Sequence, residues 1–357
     1  MSHNTSALIE KLELIRNWTD QIIPILLILF GSFGNVFNII IFTRRELRTN
    51  PCSLYFLIGS INDCFVIGFG LLTRYLADNW DIDLSIVNNT FCKIRSFLTY
   101  PSLDFALWSV VLASIDRYLS SSPIVRFRRL SNLSIARKAT LITIIVIYLS
   151  YTHTLVFYQK ILTSNGISCT IISRGYFLFL TLFGSIISYI LPIILMSIFG
   201  ILMIYNVQNT HRHLNLHNRR LRSNDRQLSK MLLIQVLITI IISTPYHVIT
   251  FYNTIAIITL KYRLSSTEFT IFKFLRNLSR YLIYTNSVHN FYIYTITSSK
   301  FREEFQRCLQ HGKKAFIKYI QVIKYLPLKF QRIPRTENND LRWTRSTRRN
   351  NVIIPIG

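Results

Sequence analysis

Asp63, Arg74, Asp104, Arg117 and Arg280 each stand inside or at the end of a long run of apolar residues. A charge held in hydrocarbon costs about 2.5–3.5 kcal/mol on insertion scales, so such side chains turn inward, find partners and mark functional sites. Asp63 lies near the middle of its run and is expected to face neighbouring helices. Asp116-Arg117-Tyr118 closes the run that opens at Cys92. In a helix rising about 1.5 Å per residue, Cys92 and Arg117 are about 38 Å apart, more than the ~30 Å of a hydrocarbon core. A tilted span would therefore hold the thiol at one membrane face and the guanidinium at the other. Lys273, Arg276 and Arg280 recur at spacings of three and four, one stripe of a helix. Arg74 sits about three turns from Asp63 on nearly the same face. Arg74 and Arg280 together are expected to bind an anionic group, such as a peptide carboxylate.

Seven apolar runs must position these residues: Gln21 to Thr43, Ser53 to Leu76, Cys92 to Leu119, Lys138 to Tyr158, Tyr176 to Tyr205, Leu228 to Ala256 and Ile271 to Thr297. Each meets the roughly 17–25 residues that a crossing helix needs, and backbone in lipid must satisfy its own hydrogen bonds. The expected fold is all-α, a polytopic bundle of seven transmembrane helices over 21–298. A polar extracellular segment, 1–20, precedes it; a short amphipathic juxtamembrane helix, 299–310, and a basic cytoplasmic tail, 311–357, follow. Half the residues are hydrophobic and the net charge is +25. The basic residues alternate with the apolar runs instead of forming one face, which argues against nucleic acid and for topology signals. Arg44, Arg45 and Arg48, then Arg126, Arg128 and Arg129, then Arg219, Arg220 and Arg222 fill alternate connectors, whereas Asp78, Asp81 and Asp83 fill the second. An amino terminus outside follows, and a plasma-membrane location is expected with it. Asn4, Asn17 and Asn88 begin glycosylation sequons on the outer side, and the sequon at Asn132 falls inside. Phe301, Phe305 and Leu309 share one face of the juxtamembrane helix against membrane lipid, with Cys308 placed for palmitoylation or remaining a plain thiol.

Taken in order, these features resemble the rhodopsin-like (class A) G-protein-coupled receptors from about Pro24 to Cys308. Gly34-Asn35 is similar to the family's GN pair, Asp63 falls where it has a sodium-site aspartate, and Asp116-Arg117-Tyr118 matches the end of its third span. Pro192 and Pro245 match its kink prolines, and Asn290-Phe291-Tyr292-Ile293-Tyr294 resembles its NPxxY motif. The resemblance implies that Asn35 and Asn290 serve Asp63 together with a sodium ion. A hydrated structural aspartate is the alternative, since Ala106 replaces a serine that the family often adds. It also implies that Asp116 and Asp225 restrain Arg117, which with Tyr118 meets a heterotrimeric G protein once released. Cys92 and Cys169 both face the oxidising compartment, where a bridge is the economical reading and free thiols the other.

At the outer end, Thr99 stands where amine receptors carry aspartate and Tyr284 where photoreceptors carry their retinal lysine. Neither role is expected. The ligand pocket is drawn from Arg74, Thr99, Tyr100, Asp104, Tyr246, His247, Thr250, Arg280 and Tyr284, with the extracellular ligand expected to be a peptide. Asp104 would oppose a basic ligand group or Arg74 itself. Arg276 and Lys273 either line the cavity, snorkel to headgroups or pair with Asp78, Asp81 or Asp83. Ser243 replaces the usual switch tryptophan, the fourth span lacks its tryptophan, Gly200 replaces a tyrosine and Phe291 a proline, so the relay of activation departs from the family. No catalysis is expected, because His153, His247 and His289 sit in separate runs. A transporter or channel is the competing reading, and it would want inverted repeats or helices broken at mid-membrane.

Overall fold

The computed structural model describes the backbone of residues 2–45, 47–163, 166–211 and 219–325, and the side chains of 7–45, 47–162, 166–209 and 230–314. The chain divides into two compact units, Met1–Leu309 and Gln310–Gly357. Among the described residues of the first, six helices are long and apolar enough to cross a membrane: Ala7–Phe42, Pro51–Trp80, Asn89–Ser121, Leu133–Phe157, Arg174–Asn209 and Lys230–Thr259. The seventh run folds as two pieces, Ser266–Thr285 and Asn290–Thr297. Lys273, Arg276 and Arg280 make its outer piece too polar for the same measure, yet it packs between the first and sixth spans.

Local chemistry sets the helix ends. Asn50 caps the second span by accepting from the Cys52 amide at 2.9 Å, with Pro51 at the first helical position. Asn88 caps the third through the Thr90 amide at 2.8 Å, and Asn132 the fourth through the Ile135 amide at 3.0 Å. Ser265 and Glu268 form a reciprocal capping box on the seventh. Asp81, with φ 54°, ends the second span in the left-handed conformation that releases a helix. Wider π turns interrupt the spans at Val66–Leu71, at Ile186–Ile190 just before Pro192, and at Asn253–Thr259.

Three departures from expectation concern helix extent and the outer cover. The first span does not begin at Gln21: one helix runs Ser2–Phe42, so the polar amino-terminal residues continue its rod. Leu8, Ile9, Leu12 and Ile15 recur at helical spacing there, and polarity between them does not oppose a helix. The juxtamembrane helix runs Ser299–Tyr325 instead of stopping near 310, and residues 326–357 of the expected tail lie outside the described ones. Between the fourth and fifth spans an antiparallel hairpin appears, β1 Tyr158–Thr163 and β2 Gly166–Ile171, with Lys160 opposite Cys169.

The core lies in two main layers. An inner one gathers Phe42, Phe56, Met196, Met231, Phe291, Tyr294 and Phe301 from five spans and the juxtamembrane helix. An outer one gathers Phe105, Ile147, Tyr151, Tyr158 and Tyr176 around the disulfide. Large apolar side chains elsewhere, such as Ile142, Leu149, Ile201 and Ile241, point outward, as lipid-facing residues do.

Candidate functional site

Three groups of polar side chains line the bundle axis. The middle one is built on Asp63, which is 2 % exposed. Asn290 Nδ2 donates to Asp63 Oδ2 at 3.1 Å, Gln235 Nε2 donates to Asn290 Oδ1 at 2.8 Å, and the Tyr294 hydroxyl donates to Gln235 Oε1 at 3.2 Å. Second, seventh and sixth spans are thereby joined in one chain of hydrogen bonds. Asn35 does not reach Asp63: its Nδ2 donates to the Ser287 carbonyl at 2.7 Å. That carbonyl is presented by the break in the seventh span, where Asn286, Ser287 and Val288 donate to carbonyls three residues back. Asn286 Nδ2 in turn donates to Ser243 Oγ at 2.8 Å. Asp63 Oδ1, Ser287 Oγ and Asn286 Oδ1 are buried with no hydrogen-bond partner.

At the inner end of the third span, Arg117 is 2 % exposed although it carries a full charge. Its Nη2 lies 2.7 Å from Asp116 Oδ2 and donates to Asn50 Oδ1 at 3.1 Å. Ser131 Oγ donates to the other Asp116 oxygen at 2.7 Å. The residue that caps the second span thus also holds the guanidinium. Tyr118 turns toward the fifth span, its ring 5.6 Å from that of Phe199. Asp225 lies on the helix Arg219–Tyr252, and its side chain is outside the described ones. Nearby, Glu304 of the juxtamembrane helix is buried between Arg44 at 3.4 Å and Arg307.

At the outer end, Cys92 and Cys169 are joined in a disulfide with Cα atoms 5.7 Å apart. The hairpin is thereby pinned to the third span, and Tyr158 meets the Tyr100 hydroxyl at 2.5 Å. Arg74 Nε donates to Asp78 Oδ2 at 2.9 Å, and Arg280 Nη2 lies 3.6 Å from the same oxygen while donating to Asn277 at 2.7 Å. Pairing with Asp78, one of the alternatives open for Arg276 and Lys273, is made by Arg74 and Arg280. Asp104 does not oppose Arg74. It accepts from Tyr151 Oη at 2.7 Å and from Ser188 Oγ, because its face of the third helix turns to the fourth and fifth spans. Thr99 and Tyr284 flank Gly70, and the Tyr246 hydroxyl lies within electrostatic reach of Arg276 and Arg280. His247 stacks on Tyr189 with centroids 4.3 Å apart, which ties it to the fifth span. Thr250 gives its carbonyl to Thr254 at 2.9 Å.

Of the modification sites, Asn17 and Asn88 are exposed, Asn4 lies outside the described side chains, and Cys308 is partly buried against the inner core. Sequence reasoning missed Gln235, Asn50, Ser131 and Arg95. Gln235 carried a readable signal, a carboxamide within a run of Leu, Ile and Val. Asn50 stands in a short connector before Pro51, where nothing in the sequence ties it to Arg117.

A family model described as 7 transmembrane receptor (rhodopsin family) matches residues 34–294. The human thyrotropin-releasing hormone receptor is 23 % identical over 366 residues, covering 90 % of this chain and 87 % of the relative. Human C-C chemokine receptor type 8 is 21 % identical, covering 83 % of this chain and 80 % of its own length. A G-protein coupled receptor homolog, K2, from Swinepox virus (strain Kasza) is 35 % identical over 102 residues, 28 % of this chain and 25 % of its own length.

Proposed function

We propose, since the chain belongs to the rhodopsin family of seven-transmembrane receptors, that it binds an extracellular peptide at its outer mouth and passes that event to a heterotrimeric G protein. Relatives named for a peptide hormone and for chemokines support a peptide ligand over a small amine. The observation that carries the coupling step is Arg117, a buried guanidinium held by Asp116 and Asn50 at the opposite end of the third span from the Cys92–Cys169 bridge. A ligand gripping the outer ends favours a second packing of the spans only by its difference in affinity for the two states. In that second state Arg117 exchanges its partners for the G protein. The chain would sit in the plasma membrane with its amino terminus outside, would catalyse nothing itself, and would carry palmitate on Cys308. The family match and the receptor relatives leave the transporter or channel reading without support, although the seventh span is broken beside Asp63.

The buried Asp63 Oδ1 and the Ser287 hydroxyl beside it suit a hard cation such as sodium, and Asp63 and Ser287 are the residues that would hold it. Ala106 supplies no oxygen there.

The deciding experiment expresses the full chain in cells, screens peptide libraries with a second-messenger readout, and carries Arg117→Ala as control. The expected result is an agonist whose signal is lost in Arg117→Ala while its binding persists. A ligand-driven response that survives G-protein depletion would refute the coupling step.

A further inference from the structure

Arg95, Arg74, Arg276 and Arg280 converge at the outer end of the bundle from the second, third and seventh spans. Arg95 Nε donates to Thr73 Oγ1 at 3.1 Å and lies within electrostatic reach of Arg74, Asp78, Asp83 and Tyr284. Arg276 lies within such reach of Arg280, Arg74 and Tyr246, and among the described residues its guanidinium makes no side-chain hydrogen bond or ion pair. Against these four guanidiniums stand Asp78, shared by Arg74 and Arg280, and Asp83, whose Oδ1 is taken by the Ser85 amide at 2.8 Å. Asp20 is not free to help: it accepts from Asn277 at 2.8 Å and from Tyr281 at 3.0 Å, and lies 4.0 Å from Arg16. An excess of about two positive charges is therefore left inside a low-dielectric mouth, where like charges repel more than in water. Two further atoms stand ready: Arg280 Nε and Thr99 Oγ1 are buried and have no partner.

We infer that this cluster is a built anion site, taking a carboxylate of the extracellular peptide, with Arg95 and Arg276 as its free donors and the Arg74–Asp78–Arg280 bridge holding the geometry. The inference rests on the receptor reading and names the chemistry its ligand must carry. An incoming carboxylate supplies the missing negative charge and gains charge-assisted hydrogen bonds from guanidiniums of which Arg95 and Arg280 are partly buried already. Asp78 plays the complementary part, keeping Arg74 and Arg280 extended into the mouth instead of snorkelling to the headgroups.

The test uses the full chain in nanodiscs of zwitterionic lipid, with citrate as the probe and its uncharged triamide as control, read by thermal shift. At ten times its Kd, citrate is expected to raise the wild-type Tm by about 3 °C and the triamide not at all. Arg95→Gln and Arg276→Gln should each weaken the citrate response about tenfold, and Arg95→Lys should recover part of it. The Tm of each variant without citrate reports its folding. No citrate shift in wild type, an equal shift with the triamide, or an undiminished shift in both glutamine variants would overturn the site. So would a Tm rise from anionic lipid alone that abolishes the citrate response, since the cluster would then serve headgroups. Nucleotide exchange on an added G protein is followed in the same discs. Citrate binding without exchange under any peptide would sink the receptor reading and leave the anion site standing; exchange without citrate binding would do the reverse.

Discussion

Gln235 is the residue whose chemistry departs furthest from its surroundings. It is 1 % exposed within an aliphatic run, and its two ends are spent on Asn290 and Tyr294. Hydrogen bonds between membrane helices average about 0.6 kcal/mol each, so Gln235→Leu should loosen the sixth span from the seventh by about 1 kcal/mol. The ratio of coupled to uncoupled states would then rise about fivefold, seen as higher basal second-messenger output at equal surface expression. An unchanged basal signal would mean that the chain of hydrogen bonds does not hold the resting state. Asp104 gives a contrasting case. Asn at that position keeps one acceptor oxygen for two hydroxyl donors, Tyr151 and Ser188. Asp104→Asn should lower the Tm of the purified receptor, by the equivalent of about 1–3 kcal/mol, while agonist potency stays put. A potency loss without a stability loss would return Asp104 to the ligand pocket. The carboxylate was legible in sequence as an inward-facing charge; its partners were not, because helix rotation decides them and no spacing rule fixes rotation to within one neighbouring span.

The seventh span shows what an element can conceal. Its family proline is absent, and an unbroken helix would be the natural reading of Asn290-Phe291-Tyr292. The break comes one turn earlier, over Asn286–His289, where the backbone tightens and frees the Ser287 carbonyl for Asn35. Phe291 then fills the space against the first span and the juxtamembrane helix, with rings 5.9 Å from Phe33 and 5.3 Å from Phe305. Gly34 makes room for it: a Cβ there would fall 2.9 Å from the Phe291 Cβ. Gly34→Ala should therefore destabilise by about 1–3 kcal/mol, and the penalty should shrink in a Phe291→Gly background, which removes that Cβ. Additive losses in that double-mutant cycle would show that the two positions do not share the contact. The seven runs and their order were visible from apolar length alone, since lipid imposes it. The β-hairpin was not, because its strands are six residues each and half-exposed, and their pairing from Tyr158 opposite Ile171 to Thr163 opposite Gly166 leaves no mark in apolar length.

Over the whole molecule, charge decides which end faces which compartment. Arg44, Arg126, Arg128 and Arg129 share one end of the bundle with the buried Arg117, whereas Asp78, Asp81 and Asp83 share the other with the disulfide. Lys and Arg resist translocation, so the orientation proposed above puts the Arg117 end in the cytoplasm. The sequons give this orientation a chemical readout. Asn17 and Asn88 are exposed at the disulfide end, and Asn132, whose side chain caps the fourth span, lies at the Arg117 end. Expressed in a glycosylating cell, the full chain should migrate faster after glycosidase treatment. Asn17→Gln and Asn88→Gln should each remove one step of that shift, and Asn132→Gln none. An epitope on the amino terminus should stain intact cells and one on the carboxyl terminus only permeabilised ones. If Asn132→Gln changed the mobility, or the carboxyl epitope stained intact cells, the bundle would be inverted. The arginine-lined mouth would then open to the cytosol, Arg117 would face outward, and no extracellular peptide could reach the first or a G protein the second.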